Sequence, residues 1–199
     1  MRFDIKENYE TIQKACLNKK SISFKTKWNP TSIHNVIPYK ISSGSEELFN
    51  YVLCAEYNEL TIKQEAIPYR LSRIENIFFT QLECNIDNTV KYNLDKMIEY
   101  GPAYPINANE EVCVELTPTG INNYRKIYFG RPKYEYEKPV ENGSLLFFNC
   151  SLEQLFFYFR RFGKEAKILY PDHFRKRMAN FHAKANDLYT DNNKKNTVM

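Results

Sequence analysis

The chain has 199 residues, of which 43% are hydrophobic and 15% aromatic, and this composition excludes an intrinsically disordered protein. Its five cysteines are widely spaced, without a C-x-x-C pair or a histidine cluster, so neither a disulfide framework nor a zinc site is indicated. The net charge of +4 is concentrated in residues 151–199, which contain 10 Lys and Arg against 5 Asp and Glu. Attraction for phosphate should therefore be strongest near the C-terminal end.

The N-terminal sequence MRFDIKENYE is charged and lacks the apolar segment of a signal peptide. Nowhere in the sequence do about 18 apolar residues occur together, which a membrane-spanning helix would need. We therefore predict a soluble protein of the cytoplasm.

The first third of the chain is predicted to form one helix and several strands. Ile5, Tyr9, Ile12 and Cys16 are spaced by four, three and four residues, which places one apolar stripe on a helix. Four segments with strand character follow, separated by turn-forming residues: SISFKTKW, NVIPYKI, FNYVLCAEY and IPYRLSRI. This order predicts an α+β fold in which residues 1–83 form a small, strongly bent antiparallel sheet or barrel with an N-terminal helix.

Residues 84–109 are predicted to be a linker with a short helix at NLDKMIEY, because they end in Gly101, Pro102 and Pro105. Residues 110–190 then alternate elements in the order β-α-β-β-α-β, which is the ferredoxin-like arrangement, and end in an amphipathic helix over 171–189.

Two further local predictions concern this second domain. Ser151 and Gln154 form a capping-box pattern at the start of its second helix, LEQLFFYFRRF. The polar tail at residues 191–199 is predicted to be flexible.

Catalytic residues are hard to find in this sequence. His34, His173 and His182 are the only histidines, and none is adjacent to a plausible nucleophile. His173 and His182 are nine residues apart, which does not match the i, i+4 spacing of a helical metal site. We therefore predict a binding protein with no enzymatic activity, no cofactor and no metal ion.

Two arginines, Arg70 and Arg73, lie within the apolar strand sequence IPYRLSRIENIFF. Because a buried unpaired guanidinium is costly, these side chains should reach solvent, pair with a carboxylate or receive an anionic ligand. Residues three apart point to opposite faces of a regular strand, so one site can use both only if the strand bulges or ends between them.

The pattern of strands resembles the WYL domain of bacterial regulators from about Ile12 to Ile77. VIPYKI, NYVLCA and YRLSRIENI correspond to three motif strands of that family. The ending LFFYFRRFGKEAKILYPDHFRKRM is similar to the C-terminal extension that follows WYL domains. Asn50 and Val52 replace the tryptophan and leucine of the namesake motif, whereas Tyr51 is retained. Since the predicted barrel helix begins by residue 5, without the family's helix-turn-helix, we expect that this chain either is a fragment or acts without contacting promoter DNA itself.

The resemblance implies an Sm/SH3-like barrel that senses a negatively charged ligand, such as a nucleotide or single-stranded nucleic acid. By motif position Arg70, Arg73 and Tyr51 would bind this ligand, with Tyr39 and either Ser23 or Thr26 as further candidates. The implied role is that of a dimeric regulator in bacterial defence that acts on a protein partner, for instance as an accessory modulator of a CRISPR effector.

The basic residues near the C-terminal end could assist nucleic-acid binding or simply form a solvated helix face: Arg160, Arg161, Arg175, Lys176 and Arg177. An alternative function is a dimeric protein-interaction module in which Arg70 pairs with Glu65 or Glu75. Dimerisation is also predicted because LLFFNC and LEQLFFYF offer more aromatic surface than a small sheet can bury alone.

Overall fold

The computed structural model describes residues 6–44, 48–81, 84–106 and 110–190. Within these residues the chain has two antiparallel sheets and five α-helices, so the predicted α+β class is confirmed. The chain divides into two compact units, residues 1–108 and 109–199. The tail at 191–199, which we predicted to be flexible, lies outside the described residues. None of the described helices is long and apolar enough to cross a membrane.

The first unit consists of a five-stranded sheet and two helices. Its elements are α1 (Lys6–Leu17), β1 (Ile22–Thr26), β2 (Asn29–Ser42), β3 (Tyr51–Asn58), β4 (Lys63–Arg70), β5 (Ile74–Phe79) and α2 (Asn88–Tyr100). The strand order is β4-β3-β2-β1-β5, and every neighbouring pair is antiparallel.

The expected closed barrel does not form. In the part of the chain that the structure describes, β4 pairs only with β3 and β5 only with β1, so the sheet keeps two edges. These edge strands are nevertheless joined by a single 3-10 turn, Leu71–Arg73, which we call the arginine turn. Three residues of 3-10 helix advance by only about 6 Å. The joined ends of the two edges must therefore lie close together, and the sheet must be strongly bent.

The sheet of the first unit has a hydrophobic core on each face. On β3, Val52 and Cys54 belong to the core that includes α1, whereas Leu53 and Ala55 belong to the core that includes α2. Because β3 is buried on both faces, its sequence VLCA is continuously apolar instead of alternating.

Helix α2 is longer than the sequence indicated and forms one of the two cores of the first unit. It begins at Asn88 instead of residue 93, and Val90, Leu94 and Met97 pack against β3 and β4. The segment that we predicted to be a linker thus supplies a structural helix, because its apolar residues recur at spacings of four and three on one helix face.

The second unit follows the predicted order of elements. They are β6 (Val112–Leu116), α3 (Pro118–Lys126), β7 (Tyr136–Val140), β8 (Gly143–Phe148), α4 (Leu152–Phe159), β9 (Ala166–Tyr170) and α5 (Asp172–Thr190). The strand order is β7-β8-β6-β9, again fully antiparallel.

The predicted capping box at the start of α4 is wrong. The Ser151 side chain makes no capping hydrogen bond. Gln154 is buried, and its Nε2 donates to the carbonyl oxygen of Gly130 at 3.4 Å instead of returning to the backbone of Ser151.

The aromatic residues of the second unit form its own core. Phe148, Tyr158 and Phe159 are at most 2% exposed, and Phe159 packs edge to face on each of the other two rings. Of the aromatic residues in LLFFNC and LEQLFFYF, only Phe157 is substantially exposed. The excess aromatic surface on which we based dimerisation is thus absent, and dimerisation itself stays a prediction.

Candidate ligand-binding site

The arginine turn is held to the rest of the first unit at both ends. Leu71 is buried, and its amide donates to the carbonyl oxygen of Asn50 at 3.0 Å. At the other end, the amide of Lys27 donates to the carbonyl oxygen of Arg73 at 2.9 Å. The turn follows Arg70 and interrupts the predicted continuous strand IPYRLSRI, so the strand ends between the two arginines.

Arg70 is positioned by a ring and a hydroxyl group. Its guanidinium carbon lies 3.0 Å from the centre of the Phe49 ring, and its Nε donates to Ser72 Oγ at 2.8 Å. The two carboxylates that we considered as its partners are engaged elsewhere. Glu65 accepts hydrogen bonds from Asn58 and Thr61, and Glu75 lies 3.9 Å from the Lys27 ammonium group.

Arg73 lies over a different ring. Its guanidinium carbon is 5.3 Å from the centre of Trp28, the only tryptophan of the chain, which is 77% exposed and lies between β1 and β2. Arg73 is itself exposed, and it contacts no carboxylate among the residues that the structure describes. A guanidinium over a ring is attracted by the negative face of that ring, and its N–H groups remain donors that can bind phosphate.

Tyr51 and Thr26 lie next to the arginines in the sheet. Tyr51 pairs with Arg70 across β3 and β4, and Thr26 pairs with Ile74, the residue after Arg73. The structure therefore brings these two predicted residues to the ends of the arginine turn.

Tyr39 and Ser23 are placed differently. The Tyr39 hydroxyl donates to Asp95 of α2 at 2.7 Å. This bond joins β2 to α2, and burial together with the carboxylate raises the pKa of Tyr39 to about 12. Ser23 pairs with Asn35 and Phe78, three residues before Thr26 on β1.

A polar network that sequence reasoning missed precedes Arg70. The Tyr69 hydroxyl donates to Glu56, and it lies 2.9 Å from His34 Nδ1, which is 3.1 Å from Glu56 Oε1. Burial and the hydrogen bond to Glu56 hold the pKa of Tyr69 far above its usual value. The Tyr69 ring also packs edge to face on Phe24 at 4.9 Å. These contacts hold the Tyr69 side chain in place at the end of β4, directly before Arg70.

The basic cluster near the C-terminal end is largely paired. Arg177 makes two hydrogen bonds to Glu153, at 2.6 and 2.9 Å, while Arg175 and Lys176 both contact Asp172. Arg161 donates from Nε to the carbonyl oxygen of Tyr158 at 2.9 Å. Arg160 instead lies over the ring of Phe157 at 4.6 Å. The cluster therefore offers fewer free charges than its sequence indicated.

Trp28 and Phe49 are the ring partners that sequence reasoning missed. A lone tryptophan in a hairpin turn was a usable signal, because apolar rings are uncommon at such exposed positions. Phe49 gave no signal, since its contact with Arg70 depends on the pairing of β3 with β4. Among the described residues, no group of three or more His, Cys, Asp or Glu side chains could hold a metal ion.

One solved structure shares the fold of this chain. No protein-family model and no curated protein matches the chain. A solved structure described as a CRISPR Cas-related protein is similar, with a TM-score of 0.66 and 22% identity over 94% of this chain and 53% of that one. Proteasome accessory factor B/C (PafBC) of Arthrobacter aurescens aligns with a TM-score of 0.33 and 17% identity, over 86% of this chain and 25% of that one. The chain thus spans about half the length of the CRISPR Cas-related protein.

Proposed function

We propose that the chain is a non-enzymatic, ligand-sensing regulator of the WYL type that binds single-stranded nucleic acid or a nucleotide at the arginine turn. The observation that carries this proposal is the position of the Arg73 guanidinium over the exposed ring of Trp28. The guanidinium of Arg73 offers donors for phosphate, and the ring of Trp28 offers a face on which a base can stack. A nucleotide presents both groups within a single unit, which few other anions do.

The two folds implied by the WYL resemblance belong to this proposal. An Sm/SH3-like architecture for the first unit is supported by its strongly bent five-stranded sheet with one helix in front. A ferredoxin-like architecture for the second unit is supported by the β-α-β-β-α-β order and by an antiparallel sheet in which β6 lies between β8 and β9.

A role beside a CRISPR effector in bacterial cytoplasm is the biological setting that we propose. The similar structure is itself described as CRISPR Cas-related, and this is the support for the setting. In this setting the ligand would change how the chain acts on its protein partner.

Fluorescence of Trp28 tests the proposed site directly. Because Trp28 is the only tryptophan, its emission reports on this position alone. We expect oligo(dT), oligo(rU) or ATP to quench the emission, with an affinity that falls as salt rises because phosphate contacts release counterions. Arg73→Ala should weaken binding about ten- to one-hundred-fold, the scale of a hydrogen bond to a charged group. The melting temperature should change little, since Arg73 is exposed.

Arg160→Ala is the matched control. It also removes one guanidinium stacked on an aromatic ring, but it does so in the second unit. Equal losses of affinity in Arg73→Ala and Arg160→Ala would mean that binding reflects overall charge, which contradicts a site at the arginine turn. If none of the three probes binds while light scattering shows a dimer, the chain is an interaction module and its arginines are structural.

A further inference from the structure

Strand β5 begins directly after Arg73 and forms one edge of the sheet in the first unit. It pairs with β1, and among the described residues no strand pairs with its other side. Phe78 and Phe79 at its end are 64% and 52% exposed. Phe79 lies six residues after Arg73, at most about 20 Å away at about 3.3 Å per residue of strand. An uncovered edge therefore leads from the arginine turn to two exposed rings.

The end of β5 repeats the arrangement found at the arginine turn. The Lys20 ammonium nitrogen lies 5.9 Å from the centre of the Phe79 ring, and the Arg73 guanidinium carbon lies 5.3 Å from the centre of the Trp28 ring. Lys20 and Arg73 are both exposed, and they contact no carboxylate among the residues that the structure describes. Each end of β5 thus combines a cation that can bind phosphate with a ring on which a base can stack.

Backbone hydrogen bonds hold Lys20 beside the end of β5. The amide of Lys20 donates to the carbonyl oxygen of Ala15 at 3.0 Å, which ties it to the end of α1. The amide of Thr80, the residue after Phe79, donates to the carbonyl oxygen of Ser21 at 2.9 Å. The residues next to Lys20 and Phe79 are therefore joined through the main chain, so the position of this cation beside this ring does not depend on side chains alone.

The elements around β5 are basic after their carboxylates are counted. Residues 6–27 and 70–79, which include α1, β1, the arginine turn and β5, contain eight Lys and Arg against three Glu and no Asp, a net charge of +5. Glu7 and Glu10 lie in the first half of α1, and Glu75 lies 3.9 Å from the ammonium group of a neighbouring lysine.

Positive charge also surrounds the end of β5 that lies away from the arginine turn. Residues 11–45, which include Lys20, contain six lysines and no Asp or Glu. Phosphate should therefore be attracted along the whole edge and not only at the arginine turn.

Given the proposed function of the arginine turn, we infer that its nucleic-acid site continues along β5 to Lys20 and Phe79, so that the ligand is a single-stranded oligonucleotide. A mononucleotide can occupy only one of the two pairs of cation and ring, because the length of β5 separates them. A second copy paired along β5 would place two surfaces of the same positive charge together, which opposes association. An acidic peptide would satisfy the cations, but it offers no planar bases to the exposed rings.

Fluorescence of Trp28 with two lengths of ligand tests this extension on the full chain. The thymidine dinucleotide should quench the emission by binding at the arginine turn. Oligo(dT) of about eight nucleotides, a usual size for a single-strand site, should also reach Phe79. It offers roughly seven overlapping dinucleotide positions, and one further stacked base adds about fivefold, so we expect it to bind roughly thirtyfold more tightly than the dinucleotide.

Two substitutions at the end of β5 should affect the longer ligand alone. Phe79→Ala should lower the affinity for the longer ligand about fivefold, the loss of one stacked base, and leave the affinity for the dinucleotide unchanged. Lys20→Gln should lower the slope of log K against log salt by about 0.7 for the longer ligand, the effect of one lost phosphate contact. Lys138→Gln is the matched control, because Lys138 also lies over an exposed ring, that of Tyr136 at 5.6 Å, but in the second unit.

The outcomes separate this extension from the arginine-turn site. Equal affinity of the two lengths per dinucleotide position would overturn the extension and leave the arginine-turn site in place. So would equal losses for both lengths in Phe79→Ala, an unchanged slope in Lys20→Gln, an equally large change of slope in Lys138→Gln, or equally tight binding of poly-glutamate. Conversion of a dimer to a monomer by Phe79→Ala, with oligonucleotide affinity unchanged, would identify β5 as a protein interface and overturn the extension as well. No quenching by either length would refute the arginine-turn site together with its extension.

Discussion

Replacing Tyr69 by phenylalanine removes one hydroxyl group from the polar network that precedes the arginine turn. The change deletes the hydrogen bond to Glu56 and the contact with His34 at 2.9 Å. It preserves the ring, so the edge-to-face packing on Phe24 at 4.9 Å remains. The effect of the substitution should therefore come from hydrogen bonding alone.

The magnitude follows from the partners that remain. A hydrogen bond to a charged group contributes about 1.5–3 kcal/mol. Glu56 keeps its contact with His34 at 3.1 Å, which limits the cost of leaving its carboxylate without the tyrosine. We therefore expect Tyr69→Phe to lower the free energy of unfolding by about 1.5 kcal/mol, at the lower end of this range.

Urea denaturation followed by far-ultraviolet circular dichroism measures this change. Tryptophan emission is a poor probe of unfolding here, because Trp28 is already 77% exposed in the folded chain. Tyr57→Phe is the matched control: Tyr57 lies on β3 beside Glu56, is exposed, and its side chain makes no hydrogen bond among the described residues. A loss below about 0.5 kcal/mol for Tyr69→Phe, the range of ordinary surface changes, would refute the reasoning.

Two further predictions concern stability. Gly143→Ala should destabilise the second unit by about 2–4 kcal/mol, because a Cβ would lie 1.9 Å from the Leu116 carbonyl oxygen at a φ of +146°. Gly130→Ala, at a φ of +68° with open space, should cost only about 1 kcal/mol, and urea denaturation of both variants measures the difference. The hydrogen bonds from Arg177 hold the pKa of Glu153 below its ordinary value of 4.5, so this carboxylate stabilises the fold above that pH. We expect wild type to be more stable than Glu153→Gln by less than about 1 kcal/mol, because the pair is exposed. This difference in the free energy of unfolding should disappear as the pH falls through the lowered pKa of Glu153, which an acid titration of both proteins measures.

Local periodicity predicted the elements that depend on one stretch of sequence. The stripe of Tyr9, Ile12 and Cys16 predicted a helix over 5–17, and α1 occupies Lys6–Leu17. The order of elements in the second unit was equally readable, because each strand and helix there has its own period and turn residues. Such patterns need no knowledge of which elements become neighbours.

Features set by distant pairing could not be predicted in this way. The strand break after Arg70 depends on Leu71, whose amide bonds to the carbonyl oxygen of Asn50 on the chain segment before β3. The stacking partners of Arg70 and Arg73 likewise come from segments before β3 and between β1 and β2. The sequence identified the arginines, but their chemical environment depends on the order of strands in the sheet.

The double burial of β3 affects how the sheet selects its register. A slip of one residue exchanges the two faces of a strand, and polarity normally opposes this exchange. From Val52 to Ala55 such a slip would bury no polar side chain, because the residues on both faces are apolar. The same slip would turn Glu56 away from His34 and Tyr69, its hydrogen-bond partners, and towards the apolar core that includes α2. The hydrogen bonds of Glu56 to His34 and Tyr69 therefore favour the correct alignment of β3. Weakening these hydrogen bonds should allow alignments shifted by one residue to compete during folding.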